Sequence, residues 1–402
     1  MPKKPLEALE EHFSKVNDPR KERTKDHKLI DIIVTSICAV ICGAEGWVDV
    51  ELFGKSKLDW LKTFLELPNG IPSHDTFGRV FSMIDAQQFQ LAFYEWVLAV
   101  NEIVQGQIIN IDGKCLCGSD DKALGKRAIY MVSAWAEANE IVLGQRKVDE
   151  KSNEITAIPE LLKLLNVSGC IVTIDAMGTQ TNIAKTIVEA NADYVLSVKE
   201  NQGHLHEDIS VLFAVDQTQD FKYASFEYKK TVSKGHGRID VRECWSTSNP
   251  AYLNLIRGLE NWMQLHSIAM VKCTRIIGDK ETSFVRYYIS SLRSDAERIL
   301  HVVRKHWSIE NKLHWVLDVA LNEDRSRVRK DQAPENLAVL RHIALNLPSQ
   351  TGEDRQRRYP RQATSGWLEG RLLAQGSRFW NLDAIALVGR AGYGFLKVVK
   401  KG

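Results

Sequence analysis

The hydrophobic period of the chain changes abruptly after Gly106, and no other feature narrows its possible folds as much. Before that point apolar residues recur near every 3.6 positions in Leu29–Cys42, Leu58–Leu65 and Phe89–Val100, the spacing of helices with one buried face. Pro72-Ser73-His-Asp-Thr76 adds a helix start. Ser73 is placed to cap it, Phe77, Val80, Phe81 and Ile84 form its apolar stripe, and with Arg79 it is either a helix for a DNA groove or a packing helix in a small bundle. After Gly106 come β-branched runs at Gln107–Ile111, Ala128–Ala136 and Ile141–Val148, the last two joined by Glu137-Ala-Asn-Glu140. Three strands on short turns predict an antiparallel meander. Next come a helix over Glu154–Leu165, a strand at Ile171–Ile174, a helix over about Thr179–Ala190 and a strand at Tyr194–Val198, the alternation of parallel βαβ units.

The order β-β-β-α-β-α-β is that of an RNase H-like mixed sheet with flanking helices. A small all-α region (1–104) precedes it, and a β-rich insertion at about 221–292 interrupts it, with strands at Phe226–Val232, Ile239–Thr247, Leu265–Thr274 and Phe284–Ser290. Helical spacing returns at Asp295–Arg304, Trp307–Ala320 and Glu335–Leu347, which closes a second region at 105–350 and leaves 351–402 as a basic tail. With 402 residues, 44% of them hydrophobic, the chain is long enough for more than one core.

The apolar run Leu29–Ala44 is broken by Asp31 and is too short to cross a bilayer, and the seven cysteines show no secreted framework. The expectation is a cytoplasmic, nucleoid-associated bacterial protein with reduced thiols and no membrane partner. A net charge of +2 says nothing about partners, so the places where cations cluster matter more. Arg325-Ser-Arg-Val-Arg-Lys330 carries four without an acid, and from Glu353 onward ten Lys/Arg face four Asp/Glu.

Asp112 ends the first strand and Asp175 ends Ile171–Ile174, each with a glycine close behind (Gly113, Gly178). Strand ends of a parallel or mixed sheet can be neighbours, so two carboxylates some sixty positions apart could share a cation. A third from a helix packed across the sheet completes an oxygen site for Mg²⁺ or Mn²⁺; Glu310, in Trp307-Ser-Ile-Glu-Asn311, is the candidate. Two ions about 3.5–4 Å apart activate an attacking oxygen and stabilise a departing one in phosphodiester chemistry. Taken singly, each acid is equally a turn residue or a solvated helix partner.

Several stretches carry a more specific likeness. Ile111-Asp-Gly-Lys114, Val132-Ser-Ala-Trp-Ala136, Lys151-Ser-Asn-Glu-Ile155, Thr173-Ile-Asp-Ala-Met-Gly178, Ala192-Asp-Tyr-Val-Leu196, Lys199-Glu-Asn-Gln202, His236-Gly-Arg238 and His306-Trp-Ser-Ile-Glu-Asn-Lys-Leu-His-Trp315 closely resemble the H-repeat-associated group of DDE insertion-sequence transposases. Asp18-Pro-Arg20 and Gly70-Ile-Pro-Ser-His-Asp-Thr-Phe77 resemble the helical domain that accompanies its catalytic domain, and the likeness covers roughly residues 5–347. It implies an RNase H-like core, Asp112, Asp175 and Glu310 as metal ligands, hydrolysis at element ends, and attack of the freed 3′-hydroxyl on double-stranded target DNA. Coordinated cutting of two ends implies a homodimer on DNA. The alternatives are an inactive or domesticated DNA-binding relative and an RNase H-like structure-selective nuclease.

This chain departs from that pattern in three places. Related elements often carry Tyr seven before the glutamate, Arg four before and Lys seven after, where Val303, His306 and Leu317 stand here. DNA contacts are then expected from Arg304, Lys312, Arg325 and Arg327 near the glutamate, from Lys199, Asn201 and Gln202 after the Tyr194–Val198 strand, and from His236 and Arg238 in the insertion, with Arg242, Lys229, Lys230 and Lys234 alongside. Cys115-Leu-Cys117 replaces an expected threonine and arginine, and with no second Cys/His pair of matching spacing it is not read as a zinc site. The tail after about Leu347 does not resemble the family. Trp307 and Trp315, at −3 and +5 from Glu310, are expected to pack in the core.

Overall fold

The computed structural model describes residues 5–101, 104–121, 125–149, 153–218, 226–235 and 237–349. His236 and the tail 351–402 lie outside them. The first hundred residues form α1 (Pro5–Phe13), α2 (Leu29–Ile41), α3 (Trp47–Ser56), α4 (Leu58–Leu61), α5 (His74–Met83) and α6 (Ala86–Val100). Local chemistry sets their limits. Ser73 accepts from Thr76 N–H at the head of α5, and Asp85 accepts from Gln88 N–H at the head of α6. Phe77, Val80 and Phe81 are fully buried while Arg79 faces out. The Leu58–Leu65 helix stops early, at Leu61. Beyond it Leu67, which precedes Pro68, sits at φ 41° with its N–H on the buried Asp31 carboxylate, a conformation that no helix can include.

Among the described residues nine strands then build one sheet: β1 (Ile108–Leu116), β2 (Ile129–Ala136), β3 (Ile141–Lys147), β4 (Ile171–Ile174), β5 (Asp193–Val198), β6 (Glu227–Gly235), β7 (Arg238–Thr247), β8 (Ser267–Ile277) and β9 (Lys280–Ser290). Their order is β3-β2-β1-β4-β5-β9-β8-β7-β6. The meander β1–β3 is antiparallel and β1, β4 and β5 are mutually parallel, as the sequence pattern predicts. The insertion does not stand apart, because β9 pairs antiparallel with β5 and carries the sheet on through β6.

Alternation along the central strands divides the core. Ile109, Ile111, Val172, Ile174, Tyr194 and Leu196 face α7 (Glu154–Leu164) and α8 (Thr181–Glu189), in the larger of the hydrophobic clusters. Ile108, Ile171 and Val195 face the other way, onto Ile299, Leu300, Val302 and Val303 of a helix at Ala296–His306. Two helices, α9 (His204–Thr218) and α10 (Pro250–Leu253), separate the parallel strands from that one, which is therefore α11. After it the chain makes a π-helical turn (Ile309–His314), α12 (Trp315–Val319) and α13 (Ala333–Ser349). The last helix packs on α2, α5, α6 and β3. Asn336 Nδ2 donates to the Phe81 and Ile84 carbonyls at 2.8 and 2.9 Å, and the Asn346 amide exchanges two hydrogen bonds of 2.8 Å with the backbone of Val142. Among the described residues no helix is long and apolar enough to cross a membrane.

Candidate active site

Asp112 and Asp175 each stand one residue beyond the matched pair Ile111 and Ile174, so parallel register brings them to the same end of adjacent strands and onto the α11 face. β1 does not end at Asp112, as the Asp-Gly pair suggests. It runs to Leu116 because β2 continues to pair with it, and only the pairing with β4 stops. Asp175 opens a turn in which its Oδ1 accepts from Met177 N–H and Gly178 N–H at 3.1 and 3.3 Å. Glu310 arrives from across the face, in the π turn that succeeds α11. The expected helix Trp307–Ala320 is thus interrupted there. A π turn inserts a residue into the helical ladder and re-aims the side chains after it; here Ile309, Leu313, Val316 and Leu317 are buried and both tryptophans are turned out, Trp307 to 46% and Trp315 to 40% exposure. The core places expected for the two tryptophans are taken by these aliphatic residues.

The three acids line one pocket with Thr173, Ser197, Lys199, Arg286, His306 and Trp307. Burial pushes the Asp112 carboxyl up to about 7; a hydrogen bond from Gly113 N–H opposes this, and the negative charges of Asp175, Glu310 and Glu154 add to it. His314 Nδ1 lies 2.9 Å from Glu310 Oε2 and 3.7 Å from Asp112 Oδ2, and ligand atoms of these three residues all lie within 4.8 Å of one another.

Sequence pattern does not single out Glu154, although it lies in the stretch Lys151–Ile155. It heads α7 on the opposite face and rests on Gly113: a Cβ there would fall 2.1 Å from its Oε1. Its carboxyl is raised by burial and by Asp175. Arg286 is equally inconspicuous in the sequence. It lies on β9, on the pocket side, stacked at 4.9 Å over the Trp307 ring and 4.8 Å over Phe284. Its one sequence signal is alternation with Tyr288, whose register partner is Ser197.

The expected DNA contacts scatter. Lys199 reaches the pocket. Asn201 Nδ2 donates to the Ala176 carbonyl at 2.8 Å and Gln202 Nε2 to the Thr179 carbonyl at 2.5 Å, so these two splint the Asp175 turn instead of lining the pocket. Lys312 pairs with Glu140 and lies 3.8 Å from Glu137. Arg238 and Arg242 pair with Asp240, Lys229 with Glu297 and Lys230 with Glu243, which neutralises much of the β6–β7 hairpin. Arg304, Arg325 and Arg327 are exposed and make no ion pair among the described residues.

The "Transposase DDE domain" family matches residues 80–347, and the "DDE_Tnp_1-associated" family matches residues 10–97. The chain belongs to the DDE transposase family. "Putative transposase YncI" of Escherichia coli O157:H7 is 42% identical over 346 residues, 85% of this chain and 87% of that protein. "H repeat-associated putative transposase YhhI" of Escherichia coli strain K12 is 41% identical over the same length, 85% of this chain and 90% of the relative. A cryo-EM structure of the piggyBac transposase synaptic complex with hairpin DNA aligns over 94% of this chain and 87% of its own, at 11% identity and a TM-score of 0.42, too distant to bear on the site. With both family matches in the expected order, this is a DDE transposase of an insertion-sequence-like element.

Proposed function

We propose that this transposase hydrolyses DNA at the ends of its element and joins the freed 3′-hydroxyl to target DNA, with Asp112, Asp175 and Glu310 holding Mg²⁺ or Mn²⁺, two ions in all. The observation that carries the reading is the convergence of these acids on one pocket from two register-matched strands and a π turn. The donor set fits such ions. The negative charges of Asp175 and Glu310 add to the rise of the buried Asp112 carboxyl, a cluster that is costly without a cation and whose oxygens suit hard divalent metals. When bound, the metals supply an activated attacking oxygen and a neutralised leaving 3′-oxygen.

The protein's own groups do the rest. The hydrogen bonds from Met177 and Gly178 keep Asp175 turned to the pocket, and His314 holds Glu310. Lys199 and Arg286 contact the phosphate, and Arg304, Arg325 and Arg327 track the backbone beyond it. Residues 105–350 carry the chemistry and the helical segment 1–104 adds DNA contacts. Two copies act together on paired ends. Purified protein with Mn²⁺ should nick or join DNA carrying its end sequences, in a complex that sizes as a dimer. Asp112→Ala, Asp175→Ala and Glu310→Ala should each lower the rate by about a thousandfold or more while DNA binding persists. Metal-independent cleavage, or full activity in any of the three variants, refutes the mechanism.

A further inference from the structure

Beneath the carboxylates lies a polar layer that the proposed chemistry leaves unused. Two residues back along β1 and β4, on the same face, stand Asn110 and Thr173, one fully buried and the other 2% exposed. Their neighbours on that face, Ile108, Ile171 and Val195, are hydrocarbon. Buried amides and hydroxyls are tolerated where donors meet acceptors, and that requirement fixes each hydrogen.

A backbone carbonyl only accepts, and it orients everything bonded to it. Asn110 Nδ2 donates to the Lys305 carbonyl at 2.9 Å and to Ser308 Oγ at 3.0 Å, so its Oδ1 faces Thr173. Thr173 Oγ1 donates to that oxygen at 2.7 Å. A hydroxyl has one hydrogen to give. Toward His306 Nδ1, 2.8 Å away, the same Oγ1 is therefore an acceptor, and Nδ1 carries the hydrogen. Burial keeps the ring neutral, lowering its pKa to about 4 against the pull of Asp175. A neutral ring protonated at Nδ1 leaves a bare lone pair on Nε2.

His306 lines the pocket with the three carboxylates, and with Nδ1 tied to Thr173 its one remaining polar atom is Nε2. Around it stand acids and the cations Lys199 and Arg286. An uncharged acceptor in that company has no use for a phosphate oxygen, which brings no hydrogen. It suits a hydroxyl. We propose that His306 orients the nucleophile: Nε2 accepts a hydrogen bond from the attacking water or DNA 3′-hydroxyl, in a tautomer set by the strap from Lys305 through Asn110 and Thr173. The same strap fixes Ser308, two residues ahead of Glu310, to β1, so the nucleophile's acceptor and the third carboxylate share one anchor. The identity of the hydroxyl rests on the proposed DNA chemistry; the tautomer does not.

Protein labelled with ¹⁵N-histidine, free of DNA, tests the strap. The ring signals lost in His306→Gln belong to His306 and should report hydrogen on Nδ1. Thr173→Val removes the acceptor and should move the hydrogen to Nε2, and Thr173→Ser should restore it. In end-cleavage assays His306→Phe and Thr173→Val should each slow the reaction about 100-fold, with Mn²⁺ and DNA affinities within about twofold of the parent, while Thr173→Ser stays near parental rate. Hydrogen on Nε2 in the parent, or no tautomer change in Thr173→Val, overturns the strap. Undiminished cleavage by His306→Phe, which carries no acceptor, overturns the orienting role. A parent that shows the tautomer yet cuts no end DNA overturns the proposed chemistry, and the role of Nε2 with it, but leaves the strap standing.

Discussion

The two faces of β1, β4 and β5 are made from alternate residues of the same short runs, yet they end differently. Toward α7 and α8 the strands present Ile109, Ile111, Val172, Ile174, Tyr194 and Leu196, side chains whose one polar atom is the Tyr194 hydroxyl, bonded to the Met263 carbonyl. Toward α11 the layers change in sequence: Ile108 and Ile171, then Asn110 and Thr173, then Asp112 and Asp175. One face is a core and the other is a gradient. The gradient is tolerable because its middle layer is fully hydrogen-bonded and its last layer opens into a pocket.

The contrast is tested hardest by putting the wrong chemistry on the wrong face. Val172→Asp, next to Thr173 but turned toward α7, buries a carboxyl with no partner and should cost about 4–5 kcal/mol or more, abolishing a cooperative melt by circular dichroism. An acid a few residues further on, where the other face opens, is by contrast part of the site.

Asp112 gives a smaller, signed effect. Its folded pKa of about 7 stands above the ordinary value of 3.8, so the metal-free native state keeps a proton that the unfolded chain releases between those values. The stability this contributes is present below about pH 4 and is lost as pH rises through about 7. Metal-free Asp112→Asn should therefore melt several degrees above the parent at pH 8, with the gap closing toward pH 4. Added Mn²⁺ should raise the melting temperature of the parent and not of the variant. A gap independent of pH would mean that the Asp112 charge is already balanced. The smallest effect is expected at Lys312, whose pairs with Glu140 and Glu137 are partly solvated; Lys312→Ala should cost less than about 1 kcal/mol in chemical denaturation.

The succession of strands along the chain and the placing of Asp112 and Asp175 at strand ends are readable in the sequence because both depend on local signals: period, β-branching, and an Asp just past an apolar run; Glu310 rests more on the family likeness of its segment. The β9–β5 pairing is not, since nothing in either strand names its partner across some ninety residues. The same limit hides Arg286, which reaches the pocket only once that pairing exists. Glu154 is illegible for another reason: it reaches Gly113 from the opposite face, a path open only because Gly113 has no side chain. Asn201 and Gln202 look in sequence like free polar groups at a sheet edge. Their partners are carbonyls in a turn more than twenty residues away, which a linear pattern cannot display. The π turn is hidden in the sequence because 3.6-residue spacing with one inserted residue leaves nearly the same apolar pattern.

The docking of α13 against α2, α5 and α6 also matters during synthesis. At a ribosomal pace of about 5–20 residues per second, the early helices emerge roughly 15–60 s before the helix that covers them. During that interval the apolar flanks of α5 and α6, and the carbonyls of Phe81 and Ile84 that Asn336 will later bond, have no partner from α13. A nascent chain cut short before α13 would lack the cover for its first hundred residues. The emergence of α13 thus sets the moment at which the first hundred residues can complete their packing.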